Sequence, residues 1–372
     1  MPPEKLRGKV ARLLLLADVK LGGDRDWDIQ VRNEGFYARV MAEGSLGLGE
    51  SYMDGWWDCC RLDEFFCRIL RMELDSKAFS WRDLVAVLHA KVFNLQRLSR
   101  AFQISRHHYD IGNDLFRLML GKRMIYTSGY WDHASDLDQA QEAKLEIAAC
   151  KLRLRPGMRV LDIGCGWGGT ARFLAERYQV QVVGITVSGE QAKGARECCR
   201  GLPVEIRLQD YRNVEGDFDR ILSLGMFEHV GLKNYGTFMQ MVRKHLEPAG
   251  LFLLGTIGKN RSTWRTDPWL TRYIFPNSLL PSAKWISRAV EGLFVIEDWQ
   301  NFGADYDRTL MAWYDNFQTN WNQVRAKYGE RFRRMWEYYL CCCAGAFRAR
   351  QIQMWQIILS PNGIAGGYHA SR

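Results

Sequence analysis

The sequence lacks any apolar run that approaches the roughly 18 residues that a membrane-spanning helix requires. The most apolar stretch, "LLLLA" from Leu13, is closed off by Arg12 and Asp18. Its apolar centre is also too short for a secretory signal. We therefore expect a cytoplasmic protein.

Repeats, low-complexity segments and zinc-like spacings are absent as well. Most of the ten cysteines occur as neighbours, and neighbours in sequence rarely form a disulfide or share one zinc ion. His107 and His108 have no second cluster to complete a metal site, so we expect them to pack in the core or beside a cofactor. The sequence thus predicts reduced, mostly buried thiols and no metal.

What the sequence does contain is positive charge, with a formal net charge of +9 over 372 residues. Such a charge attracts an anionic surface, which is either nucleic acid or an acidic lipid leaflet. A non-enzymatic nucleic-acid-binding protein is the rival hypothesis, but the chain has no recognised nucleic-acid module and its aromatic residues do not follow a basic stripe. We therefore predict no nucleic-acid partner.

The middle of the chain alternates strand patterns with helix-length segments, which is typical of an α/β protein with a doubly wound parallel sheet. Two long helical stretches follow over Asp305–Ala349, and a last strand, expected to be antiparallel, starts near Gln351. The predicted central strands are Arg159–Ile163, Val180–Thr186, Val204–Gln209, Phe218–Leu224 and Leu251–Ile257, with a further strand from Phe294.

The pattern changes before the sheet, and we predict two domains: a smaller α+β region over residues 1–100 and the catalytic domain over residues 101–372. The N-terminal region has a short strand pattern in "WDIQV", an aromatic cluster in "SYMDGWW" and a helical pattern over Trp81–Leu98.

The stretch "VLDIGCGWGG" is a strand that enters a glycine-rich turn, with Gly164, Gly166 and Gly169 in the G-x-G-x-x-G spacing. That spacing alone is a weak signal for a dinucleotide. Asp162 would repel a pyrophosphate at this place but would attract a ligand that carries an ammonium group.

The neighbouring strands favour the same ligand class. The next strand ends in "VVGITVSGEQ" without the acid that holds the ribose of NAD, and one strand later Gln209 and Asp210 stand at the carboxyl edge of the sheet. Together these residues favour S-adenosylmethionine (SAM) over NAD. The alternative is that the glycines only permit close packing and that Asp162 caps the following helix.

Seven longer stretches carry a family resemblance: "HHYDIGNDLF", "VLDIGCGWGG", "VVGITVSGEQ", "GMFEHVGLKNY", "DPWLTRYIFPNSLLPS", "NFGADYDRTLMAWY" and "AGAFRARQIQMWQ". Over nearly its whole length the chain resembles the cyclopropane-fatty-acyl-phospholipid synthases and, less closely, the mycolic acid cyclopropane synthases. The resemblance implies a class I SAM-dependent methyltransferase fold and an N-terminal domain for lipid docking and dimerisation. It also implies a homodimer that associates peripherally with the anionic inner face of the membrane.

The resemblance further implies transfer of the SAM methyl group to the cis double bond of an unsaturated phospholipid acyl chain. A base, bicarbonate in this family, then removes a proton so that a cyclopropane ring closes. The implied cofactor-binding residues are Tyr126, Thr127, Asp162, Gly164, Cys165, Gly166, Trp167, Gly168, Thr186, Gln191, Gln209 and Asp210.

The bicarbonate pocket implied by the resemblance consists of Glu228, the backbone of Ile257, Tyr306 and two positions that depart from the family pattern. Ser128 replaces a cysteine, and Gly255 replaces a histidine. Losing one charge-assisted hydrogen bond weakens anion binding by about 1.5 to 3 kcal/mol. The alternative function is therefore a SAM-dependent C-methyltransferase that gives a methylene- or methyl-branched chain. A methyltransferase that acts on a small amine is a separate alternative.

Three further segments have two interpretations each. Cys343 matches a cysteine once proposed as a nucleophile in the family, but a buried structural thiol is favoured because no base is evident nearby in sequence. The segment "WRTDPWLTRYIFPNSLLPS" is either a lid for the acyl chain or a packed insertion. The basic stretches "EKLRGKVARLL" and "RFRRMW" suit either an anionic membrane surface or an ordinary solvated helix face.

Overall fold

The computed structural model describes residues 3–72, 112–276, 278–370 and 372. The chain divides into two compact units. The N-terminal unit comprises Met1–Phe93, Thr263–Pro276 and Asp307–Ile352, and the sheet unit comprises Asn94–Ser262, Asn277–Tyr306 and Gln353–Arg372. The predicted helix Trp81–Leu98, the boundary at residue 100 and the two adjacent histidines lie outside the described residues.

Within the described residues the sheet has seven strands, in the order β5-β4-β3-β6-β7-β9-β8. The pairs β3–β4, β3–β6, β4–β5 and β6–β7 are parallel, whereas the last strand β9 runs antiparallel to β8. This topology confirms the predicted doubly wound α/β fold. The strands are β3 Arg159–Ile163, β4 Gln181–Thr186, β5 Val204–Leu208, β6 Phe218–Leu224, β7 Leu246–Lys259, β8 Val295–Asn301 and β9 Ile352–Ser360.

Helices cover both faces of the sheet, and for this reason β3, β4 and β9 are buried at successive positions. Successive strand residues belong to opposite cores: Ile221 packs in one cluster and Leu222 in the other. The helices that begin in this unit are α5 Asn113–Met119, α6 Leu137–Lys151, α7 Gly169–Tyr178, α8 Gly189–Cys198, α9 Tyr235–His245, α11 Ala283–Val290 and α12 Gly303–Arg348.

The two long helical stretches expected after the sheet are both part of α12. Gly329 interrupts its helical backbone at φ 73°, a conformation that glycine adopts without steric cost.

The N-terminal unit is built from helices around an aromatic core. Trp57 is fully buried, 5.0 Å from the ring of Tyr52 and 5.2 Å from that of Phe65. The predicted strand in "WDIQV" is short, and it pairs antiparallel with a strand that contains Trp57. The elements are α1 Pro3–Leu16, β1 Gln30–Val31, α2 Gly35–Glu43, α3 Ser45–Met53, β2 Trp57–Asp58, α4 Leu62–Arg71 and α10 Pro268–Tyr273.

Two of the segments with two interpretations belong wholly or partly to this unit: "RFRRMW" and the first part of "WRTDPWLTRYIFPNSLLPS". Trp269 of α10 is fully buried, 4.3 Å from the ring of Tyr338, so this part of the second segment is a packed insertion and not a lid. The arginines of "RFRRMW" are bonded to acids, as in the 2.8 Å pair of Arg334 with Asp58. They therefore have partners of their own within the chain.

All ten cysteines are free, but only four are buried. The prediction of mostly buried thiols is therefore wrong. Cys341, Cys342 and Cys343 lie on one helix, where successive side chains point in different directions and cannot all enter the core. Among the described helices, none combines the length and the apolar character needed to cross a bilayer.

Candidate active site

The glycine-rich turn joins β3 to α7 at the carboxyl edge of the sheet. Gly164, Gly166 and Gly168 all have positive φ, and Gly168 is the left-handed residue that precedes the first turn of α7. A Cβ at Gly169 would collide with the carbonyl oxygen of Arg123. The turn therefore requires glycine both for its backbone conformation and for this close approach.

A cavity of about 1240 Å³, including its open mouth, lies above this turn. It sits outside the carboxyl ends of the strands, where open α/β sheets bind their ligands. Gly168 forms the turn but does not line the cavity. The other eleven predicted cofactor residues all line it: Tyr126, Thr127, Asp162, Gly164, Cys165, Gly166, Trp167, Thr186, Gln191, Gln209 and Asp210.

Asp162 is the polar group of greatest chemical consequence in this cavity. It is 2% exposed, and its Oδ2 atom has no hydrogen-bond partner among the described residues. Burial raises the pKa of its carboxyl group to about 7, and the positive charge of Lys144 opposes that rise. A bound cation would add further positive charge beside this carboxylate and so favour its ionised form.

The ends of the neighbouring strands contribute polar side chains that already have partners. The hydroxyl of Thr186 donates to Oε1 of Gln191 at 2.9 Å, and Ser188 caps α8. Asp210 is buried and accepts from the backbone N–H of Arg212 at 3.0 Å. These bonds hold the carboxyl edge in place before any ligand binds.

Aromatic rings form one wall of the cavity. The ring of Phe116 in α5 lies 4.9 Å from that of Trp167 and 5.3 Å from that of Tyr126. The indole N–H of Trp167 donates to Asn113 at 2.8 Å. Two of the predicted cofactor residues are thus fixed by a helix for which the sequence predicts no role.

Lys144 was missed from the sequence, whereas His229 stands beside the predicted Glu228, where a carboxylate next to an imidazole suits acid-base work. His229 lines the cavity, and burial lowers its pKa to about 4, so its imidazole is neutral. Lys144 of α6 is 3% exposed and donates to the hydroxyl of Thr127 at 3.1 Å. The available signal was its place in the apolar stripe of α6, seven residues after Leu137, four after Ala140 and four before Ala148.

Glu228 and Ile257, both predicted for the bicarbonate pocket, are bonded to each other. The N–H of Ile257 donates to Oε1 of Glu228 at 2.6 Å. The Oε2 atom of Glu228 is buried and has no partner among the described residues. Burial raises the pKa of this carboxyl group to about 7, against the effect of the Ile257 N–H.

Ser128 lines a second, smaller cavity of about 240 Å³, whose wall shares Thr127 and Leu224 with the first. Its hydroxyl donates to the carbonyl of Gly129 at 2.8 Å. At Gly255 an added Cβ would lie 2.7 Å from Cδ2 of Leu224, so a leucine methyl fills the space of a side chain. The remaining residues around this cavity are Gly129, Lys144, Phe302, Met354 and Gln356.

The last two predicted residues belong to different units. Tyr306 is buried in the sheet unit, at the start of α12. Cys343 belongs to the N-terminal unit, where loss of solvation at the thiol raises its pKa to about 12. A thiol in that state is a poor nucleophile, which favours a structural role.

Comparison with known proteins gives a consistent assignment. A family model described as mycolic acid cyclopropane synthetase matches residues 96–357. The cyclopropane-fatty-acyl-phospholipid synthase of Escherichia coli strain K12 is 52% identical over 361 residues, which is 97% of this chain and 94% of the relative.

Solved structures agree with this assignment. The cyclopropane synthase MmaA2 from Mycobacterium tuberculosis is 31% identical with a TM-score of 0.66, and the match covers 69% of this chain and 97% of that one. The mycolic acid cyclopropane synthase CmaA1, complexed with SAH and CTAB, is 32% identical with a TM-score of 0.65 and the same coverage.

The role of Asp162 is tested with Asp162→Asn, which removes the buried negative charge at nearly constant volume. We expect the affinity for SAM, measured by titration calorimetry, to fall at least about tenfold. The exposed Glu215→Gln variant is the control for a lost surface charge and should bind as the wild type does. Equal affinity of the Asp162 variant and the wild type would contradict the role of this carboxylate.

Proposed function

Because the chain belongs to the mycolic acid cyclopropane synthetase family, we propose that the large cavity of the sheet unit is where its reaction takes place. The chain is a SAM-dependent methyltransferase. It transfers the methyl group of SAM to the cis double bond of an unsaturated phospholipid acyl chain and closes a cyclopropane ring. The comparisons do not favour the methylene- or methyl-branched alternative.

The observation that carries the assignment of this cavity is the unpartnered carboxylate oxygen of Asp162 among mostly apolar walls. SAM, when bound, supplies an electrophilic methyl group on a positively charged sulfur. Asp162 and Asp210 would hold the positively charged and hydrogen-bonding parts of this ligand. Met226 and Val230 would keep water away from the reacting carbon atoms.

Removal of the proton requires a base at the edge of the cavity, and we assign that role to Glu228. It lies in the chain between the cavity-lining residues Met226 and His229. Its unpartnered Oε2 atom can accept a proton, and a pKa near 7 suits a general base at neutral pH. His229 is the poorer base because burial holds its pKa near 4.

The predicted bicarbonate set does not fit that anion as the residues are arranged. The N–H of Ile257 is donated to Glu228, and the hydroxyl of Ser128 is donated to Gly129. Gly255 offers no side-chain donor at all. An anion would have to break bonds within the chain to bind here, so no step of the mechanism is assigned to it.

Docking to the membrane is assigned to α1 of the N-terminal unit. Leu15 and Leu16 are 55% and 51% exposed at the end of this helix. Lys5, Lys9 and Arg12 are exposed on the same helical face as Leu16. Basic residues beside exposed leucines suit an anionic lipid surface, where each charge contributes about 1 kcal/mol.

The remaining proposals rest on the family resemblance. These are a cytoplasmic location at the inner face of the membrane, a homodimer, and lipid docking and dimerisation through residues 1–100. The docking helix α1 falls within that segment.

The proposed base is tested with Glu228→Gln. We expect kcat on unsaturated phospholipid vesicles to fall at least about 100-fold, with SAM affinity unchanged. The wild-type rate should rise as pH passes through about 7, because the base must be ionised, and the variant should lack this rise. Product NMR distinguishes rings from isomeric methylene chains, and the exposed Glu247→Gln variant serves as control. A variant that keeps the wild-type pH profile would refute this role.

The missing donor is tested with Gly255→His. A Cβ there requires that the Leu224 methyl move, and the imidazole adds one hydrogen-bond donor for an anion. We expect the variant to bind bicarbonate about ten- to a hundredfold more tightly than the wild type. Binding is measured by titration calorimetry in degassed buffer with increasing bicarbonate. Identical titration curves would show that position 255 is irrelevant to the anion.

The docking helix is tested with the double variant Leu15→Ser/Leu16→Ser. Binding to vesicles that contain anionic lipid should weaken at least about tenfold, because two leucines no longer enter the lipid. Leu208→Ser, at a leucine that is 49% exposed in the sheet unit, is the matched control. Vesicle co-sedimentation measures both. If the two variants bind alike, docking through α1 is wrong.

A further inference from the structure

Helix α6 places two lysines in its buried stripe, and they have different surroundings. Lys151 is fully buried and forms an ion pair with Asp298 at 3.3 Å. Lys144, two turns earlier, is 3% exposed, and within the described residues it forms no ion pair shorter than 4.0 Å. Burying a lysine without a close counter-ion is costly, so the position of Lys144 calls for an explanation.

The surroundings of Lys144 connect it to the large cavity. Its ammonium group donates to Oγ1 of Thr127 at 3.1 Å, and Asp162 is the carboxylate whose charge acts on it. Thr127 and Asp162 both line the large cavity, whereas Lys144 itself lines the smaller one. Lys144 is therefore one layer behind the ligand surface and can act on a ligand only through these two residues.

Among the described residues, the other titratable groups around Asp162 supply no positive charge. The thiols of Cys165 and Cys199 interact with Asp162 and have raised pKa values, so both are neutral. His229, which also lines the cavity, is neutral because burial lowers its pKa to about 4. Arg212 pairs with Asp210 at 3.5 Å. Lys144 is the cation that offsets the buried charge of Asp162.

We propose that Lys144 is a positioning residue that keeps Asp162 ionised and fixes the hydroxyl of Thr127, so that the cavity accepts a cationic methyl donor at neutral pH. This proposal deepens the proposed function and rests on it. Burial pushes the pKa of Lys144 down and that of Asp162 up, each to about 7, while their mutual attraction opposes both shifts. A lost positive charge would therefore raise the pKa of Asp162 further.

The direction of the pH effect follows from Asp162. Its protonated form cannot attract a cation, so wild-type SAM affinity should fall as the pH drops below about 7. In Lys144→Met this fall should begin at higher pH, which makes SAM binding at pH 7 at least about tenfold weaker. At pH 9 the variant should bind as the wild type does, because Asp162 is then ionised in both and Lys144, whose pKa is about 7, is neutral in the wild type.

The test is titration calorimetry of the full chain with SAM at pH 6, 7, 8 and 9, for the wild type, Lys144→Met and the matched control Lys151→Met. The control removes a buried lysine from the same helix and should keep the wild-type profile. Lys144→Gln is the second variant if the methionine variant does not fold. Asp162→Asn should show no fall in affinity below pH 7, which tests the proposal without any change at Lys144.

The outcomes separate three cases. Lys144 variants that bind SAM more weakly than the wild type at pH 7 and equally at pH 9, together with a flat profile for Asp162→Asn, support the proposal. A Lys144 variant with the wild-type profile, or one weakened equally at every pH, overturns it in favour of a structural lysine. A wild type that binds no SAM at any pH overturns the proposed function itself.

Discussion

The buried carboxylate of Asp162 is the constraint on which the rest of the site depends. It is the penultimate residue of β3, a central strand that is paired on both sides with parallel neighbours, and it is only 2% exposed. A carboxylate without water or a full set of hydrogen bonds destabilises the free protein. The missing hydrogen-bond partner of Asp162 also favours binding of a cation. The buried carboxylate therefore both lowers the stability of the free protein and selects a positively charged ligand.

The surroundings of Asp162 make this selection sharper. The cavity must accept a positively charged donor and also an alkene, which is a weak nucleophile and needs dry, apolar contact. Burial resolves the conflict, because it leaves the imidazole of His229 and the thiol of Cys165 neutral. Few groups in the cavity then carry charge. Most of its wall can therefore remain apolar without lowering the affinity for the positively charged donor.

The sheet was largely predictable from the sequence, because its strands are buried on both faces and separated by glycine turns. The bounds of β3 and β6 agree residue for residue with the pattern, whereas β7 begins at Leu246, five residues earlier than predicted. Those extra residues include Pro248 and Gly250, which interrupt a strand pattern. Lys144 was missed because lysines are usually solvated, and the burial of this one depends on how helix α6 packs. Asp162, Gln209 and Asp210 were found because the carboxyl ends of parallel strands meet at one edge, whereas Tyr126 and Thr127 were predicted only from the family resemblance.

The bicarbonate residues show where sequence reasoning stops. A sequence can count the donors in a set, but it cannot say which acceptor each donor already serves. Ile257 donates through its backbone N–H, and only the structure shows that this N–H is already bonded to Glu228. The same holds for Gly255: the space that a side chain would occupy is filled by Leu224, with a methyl of Met354 close by. The wall at position 255 is therefore apolar. The polar side chains that line the smaller cavity are Thr127, Ser128, Lys144 and Gln356, so an anion that enters it meets a lysine.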